Sequence, residues 1–210
     1  MSSVYPTTEE ILFKLIELAD TWRALAIIWH VYFAAFVIVL MLGVRPSKRV
    51  SGVLLALPFL SVSILALSIT NPFNGIIFAV IGILLIAVSV RLPPERVQIA
   101  PMWVLIAGVL MFAFGWIYPH FLDESSSLSF LYSPPVGIVP CASLSIGIGL
   151  ALILNSLGSS KISLILGISG IVFGITGVWQ FGVAIDWLLL IGSILIVISA
   201  FVGKQGKQKK

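Results

Sequence analysis

Apolar runs of 16 to 21 residues recur along almost the whole length of this 210-residue chain. A helix rising 1.5 Å per residue needs runs of about that length to cross roughly 30 Å of hydrocarbon. Hydrocarbon offers no water to backbone N–H and C=O groups, so each run has to satisfy its own hydrogen bonds as a helix. The expected fold class is therefore all-α: a polytopic transmembrane helix bundle, with seven spans preceded by a short amphipathic helix.

Composition agrees with this reading. The chain is 60% hydrophobic and 10% charged, with a mean hydropathy of +1.17, whereas about a quarter of the residues of a soluble domain are charged. No soluble domain remains once the apolar runs are removed, so residues 1–210 read as a single integral membrane domain. The net charge of +4 is no nucleic-acid signal, because the basic residues sit in short loops beside the spans. A lone cysteine, Cys141, excludes an intrachain disulfide. The N-terminal region carries Glu9, Glu10, Glu17 and Asp20 rather than a basic stretch before an apolar core, so no cleavable signal peptide is expected.

Residues 7–22 form the amphipathic helix. Thr7 and Glu10 have the spacing of a capping box, and Ile11, Leu15, Leu18 and Trp22 share one face. The helix is expected to lie in the membrane interface or to extend the first span. The spans fall at about 24–44, 50–69, 75–90, 101–118, 138–157, 162–181 and 183–202, and 203–210 is a basic tail. Pro58 is expected to kink the second span. Asn71-Pro72 separates the second span from the third, and Pro101 is expected at the first helical position of the fourth.

Lys and Arg number 2, 3, 0, 2, 0, 1, 0 and 4 in the successive segments outside these spans. After the first segment they alternate without exception. Placing the basic loops in the cytoplasm gives a cell (inner) membrane protein with its N-terminus outside and its C-terminus cytoplasmic. The tail lysines then face anionic lipid, as a partner or simply as a topology anchor. The lipid bilayer itself is the other expected partner.

That orientation gathers the chemically capable side chains on the outer half. His30 lies in the first span, Asn71 in the turn before the third, and Tyr118 and His120 at the start of the long loop. Cys141 opens the fifth span, Gln180 ends the sixth, and Asp186 starts the seventh. These seven residues form a candidate polar pocket, since an ionisable group in a membrane faces a protein interior or water. Each also has a plainer role: His30 in helix packing, Asp186 at a helix N-terminus, Cys141 as a small buried residue. No catalytic residue is assigned. A metal site built from His30, His120, Cys141 and Asp186 has no ligand spacing on one helix to support it, and no cofactor is called for. Asp123 and Glu124 read as solvated loop. Small residues at Ser143, Gly147, Ala151 and Asn155, and at Gly170 and Gly174, form stripes for close helix packing, with a homo-oligomer as the alternative use.

Several short motifs carry a resemblance. Thr70-Asn71-Pro72, Gly115-Trp116-Ile117-Tyr118-Pro119 and Pro135-Val136-Gly137-Ile138-Val139-Pro140-Cys141 resemble, in the same order, a bacterial multi-pass membrane-protein family catalogued only as a domain of unknown function. In that family Pro-Cys is followed by Pro-Thr-Thr, where this chain has Ala142-Ser143-Leu144. The resemblance implies a bacterial-type inner membrane protein and supplies no activity. The functional expectation is a non-catalytic protein that binds a small ligand, a lipid or a partner in the outward-facing pocket. The alternatives are a small transporter or channel, and a membrane-embedded enzyme using the outer-side His, Cys and Asp.

Overall fold

A computed structural model describes residues 8–120 and 128–208, with side chains for 9–120 and 128–201. The proposed capping residue Thr7, the acids Asp123 and Glu124, and the side chains of the tail lysines lie outside the described residues. Those described form eight α-helices and no strand; the single bridge joins Ser47 to Arg96. The helices are α1 (Thr8–Thr21), α2 (Arg23–Met41), α3 (Lys48–Ser68), α4 (Pro72–Ser89), α5 (Met102–Trp116), α6 (Pro140–Ile153), α7 (Ser160–Ile175) and α8 (Asp186–Gln208). Four stretches are long and apolar enough to cross a membrane: α2, α3, α4, and α7 together with the π-turn that follows it. The apolar segments Met102–Trp116, Pro140–Ile153 and Asp186–Phe201 are shorter.

Local chemistry explains the helix starts. Ser47 caps α3 by accepting a hydrogen bond from the Val50 amide, and Asn71 caps α4 by accepting one from Asn74. Pro72 occupies the first turn of α4, where its missing N–H leaves no bond unmade. Pro101 instead takes the cap position of α5, not the first helical position expected for it. Its ψ of 152° is extended, so the helix begins one residue later. Pro58 is buried within a continuous α3.

Consecutive helices pair as antiparallel hairpins through small residues. In the α3–α4 pair, Gly52 meets Ser89, Gly82 meets Leu60 and Gly75 meets Leu67. In the α5–α6 pair, Gly108 meets Leu152, Gly149 meets Phe112 and Gly115 meets Ile146. In the α7–α8 pair, Gly170 meets Ser193 and Gly174 meets Leu190, so that stripe serves packing within the chain. Lipid tails are as apolar as leucine, so close van der Waals approach of this kind is what holds membrane helices together. α2 is pinned to α3 by hydrogen bonds from Trp29 Nε1 to Ser61 Oγ and from Tyr32 Oη to the Leu54 carbonyl.

α6 is the hub, buried along every face from Pro140 to Leu152 except at Cys141. It is also shorter than the expected span 138–157. Ile138 and Val139 precede it as buried coil, and after Ile153 the backbone turns left-handed at Asn155, Ser156 and Leu157. Asn155 therefore leaves the expected small-residue stripe, while Gly147 packs on the Phe59 ring of α3. The coil Ser133–Val139 is tucked into the bundle, with Trp29 lying over Gly137. The second half of the long loop between α5 and α6 is thus buried structure.

The loops sort to two ends. Pro46 and Lys48 pair through backbone bonds with Val97 and Glu95, and the Ala100 amide donates to Ile153, so the basic loops share one end. α1, the α3–α4 turn, and the start of α6 and of α8 meet at the other.

Candidate functional site

α1 supplies one wall of a cavity of about 530 Å³ at the end away from the basic loops. Leu15 and Leu18 of α1 are buried against the bundle, while Glu9, Glu10, Glu17 and Asp20 face outward. The helix packs on protein with its apolar stripe, and the one expected member that departs is Trp22. It sits at the junction with α2 and is 43% exposed. Opposite α1, the cavity is closed by Ile69–Asn74, the start of α6, the last turn of α7 and the start of α8. Its walls are apolar through Ile11, Leu12, Leu15, Phe173 and Val183. Its polar groups are few: Lys14, Thr70, Asn71, Asn74, Thr176, Gln180, Cys141 and Asp186.

The deepest of these is Asp186, only 1% exposed. It is the first residue of α8, where the helix dipole favours negative charge. Tyr118, fully buried just past α5, donates its hydroxyl to Oδ1 at 2.5 Å. Cys141, at the start of α6, donates its thiol to Oδ2 at 3.2 Å. Three helix ends, from two hairpins, thus converge on one carboxylate. A fourth element makes room for it, because a Cβ on Gly177 would stand within 3.0 Å of the Asp186 carboxylate, so that position has no space for a side chain. Gly177 lies in the π-turn Thr176–Gln180, a type of helix defect found frequently at functional sites. Asp186 therefore belongs to a buried network rather than to a solvated membrane interface.

The seven expected pocket residues divide. Asn71, Cys141, Gln180 and Asp186 line the cavity. Tyr118 stands behind them as a donor to Asp186. His120 is exposed beside the network; burial of part of its ring lowers its pKa, against the opposing pull of the Asp186 charge. His30 is elsewhere. Its Nδ1 lies 2.8 Å from the Ala26 carbonyl and its Nε2 3.1 Å from that of Trp116, with the Trp116 ring edge-on at 4.7 Å. It ties α2 to the end of α5 and does not reach the cavity lining. Asn71 doubles as the α4 cap, which fixes its side chain. Among the described residues no three His, Cys, Asp or Glu side chains converge as a metal site.

Sequence reasoning did not single out Gly177 or the lining role of α1. Gly177 does have a sequence signal, since it follows Gly174 by three residues, about one further helical turn beyond Gly170 and Gly174. No protein-family model, curated protein or solved structure matches this chain.

Proposed function

We propose that this is a non-catalytic seven-span inner-membrane protein, N-terminus outside, that binds an amphipathic small molecule in the cavity beneath α1. The observation that carries the reading is the make-up of that cavity. It has about 530 Å³ of space with largely apolar walls and a few polar groups, one of them a buried carboxylate. Ligand pockets have this volume and this ratio of apolar wall to convergent polar groups. Support for the seven spans comes from three antiparallel hairpins in chain order and from the basic loops that gather at one end.

The preferred ligand follows from the polar end. Asp186 already accepts two hydrogen bonds, but a carboxylate has about four acceptor sites, so it has capacity for a donor from the ligand. An alkyl chain with an amine or hydroxyl head fits. A fatty acid sets one carboxylate against another, which is unfavourable.

Cys141 is the only cysteine in the chain, and it lines the cavity, so it reports occupancy directly. Labelling by N-ethylmaleimide in native membranes is expected to slow several-fold with dodecylamine and to be unchanged by lauric acid. Equal labelling rates with and without dodecylamine would remove the reading. A second expectation concerns α1. Leu15→Asp places a charge on the buried face of the helix and should release it, raising the Cys141 labelling rate about ten-fold, a difference of about 1.4 kcal/mol in access. An unchanged rate would mean that α1 does not control entry.

A further inference from the structure

The end of the bundle with the basic loops holds a second cavity of about 290 Å³, set among the α6–α7 turn, the start of α7, the Lys48 end of α3 and Ser199 of α8. Three of its features point to a ligand. Asn155, Ser156, Leu157 and Gly158 have successive φ values of 51°, 49°, 55° and 71°. Left-handed backbone suits glycine and is tolerated by asparagine but is unfavourable for Ser156 and Leu157, and such strain persists where the surroundings hold it, often at ligand sites.

The hydroxyls are the second feature. Ser156 and Ser163 line the cavity, are 7% and 1% exposed, and have no side-chain hydrogen-bond partner among the described residues. Buried hydroxyls elsewhere in these helices bond back to a carbonyl, as Ser193 does to Leu189 and Ser143 to Val139. Ser51, Ser89 and Ser145 do not, but none of them lines this cavity. The third feature is the start of α7. Its cap residue Ser159 makes no capping hydrogen bond, which leaves first-turn amides and the positive end of the helix dipole facing the cavity.

Charge decides the class of ligand. The Lys48 ammonium stands on the wall with its side chain 13% exposed, held at 2.6 Å by Glu95, whose side chain is 64% exposed. Among the described residues Glu95 is the one carboxylate in the lining, and it takes the solvent side of the pair. An ammonium has three donors, so it serves an inner anion as well. We propose that this cavity binds a phosphate-class oxyanion, with the α7 amides and the Ser156 and Ser163 hydroxyls as donors and Lys48 as counter-charge. The phosphate comes either free in solution or on a phospholipid headgroup.

The test uses the full chain in maltoside micelles, which contain no phosphate. In one arm inorganic phosphate is titrated against chloride at matched ionic strength. In the other, short-chain phosphatidylglycerol is titrated against the uncharged short-chain diacylglycerol. The readout is the melting temperature. A rise with inorganic phosphate identifies the free oxyanion as ligand, and a rise with the lipid alone identifies the headgroup. Ser163→Ala and Lys48→Gln should each weaken the response about ten-fold. Ser156→Gly removes a hydroxyl and relaxes the left-handed backbone, so it should melt higher without probe and still lose response. No rise in either arm, or a full response in all three variants, overturns the proposal.

Discussion

Asp186→Ala is expected to destabilise the protein by about 3 kcal/mol, from two lost hydrogen bonds to a charged group at roughly 1.5 kcal/mol each. The measurement is denaturant or thermal unfolding of the purified protein. The loss is large because both bonds end on a carboxylate buried in the bundle. Tyr118 is fully buried, and its hydroxyl keeps no acceptor at Asp186 once the carboxylate is gone. Tyr118→Phe should cost less, about 1.5 kcal/mol, since the Cys141 bond survives. Asp186→Asn should fall between the two, because an amide oxygen accepts from one donor while its NH₂ opposes the other. The double variant Asp186→Ala with Tyr118→Phe should lose less than the sum of the singles, as expected of groups in one network. Full additivity would mean that the carboxylate and the phenol act separately. An Asp186→Ala protein as stable as wild type would show that the network contributes nothing to the fold.

Tyr118, Cys141 and Asp186 were all legible as candidates, but not as one site. Depth along each span is readable from apolar run length and loop charge, and it puts all three at the same end. Their contact is not readable, because the partners lie 45 and 68 positions from Asp186, both on the α5–α6 hairpin while Asp186 belongs to the α7–α8 hairpin. Which helix faces which depends on side-chain fit around α6. His30 shows the limit of depth alone. It was grouped with the others, yet its face of α2 turns toward Trp116. The basic-end cavity was less legible still. Asn155, Ser156 and Gly158 end an unbroken apolar run and mark a turn by residue type, but not its left-handed course. A left-handed run that continues through Ser156 and Leu157 contradicts local preference, so tertiary packing had to reveal it.

Glycine positions on α6 give the sharpest test of how the hub is packed. Gly149→Ala is expected to destabilise by at least about 3 kcal/mol, the upper part of the range for overpacking. The added Cβ would fall against the main chain of α5, within 2.6 Å of the Phe112 Cα and closer still to its amide nitrogen. No side chain can swing aside there, so relief requires the two helices to separate. Separation would also break the contacts of Gly108 with Ile153 and of Gly115 with Ile146, which lie along the same seam. Gly147→Ala is the matched control, one helix face away. Its Cβ would meet the tip of the Phe59 ring at 2.6 Å, a group that can tilt, and its cost should be about 1 kcal/mol. The small-residue spacing read from the sequence pointed to Gly147, whereas the geometry ranks Gly149 well above it. Melting temperatures of the two variants decide between them. If Gly147→Ala proves the more damaging, the α5–α6 seam is not the closest contact in the bundle, and the placement of Tyr118 against Cys141 and Asp186, which depends on that seam, fails with it.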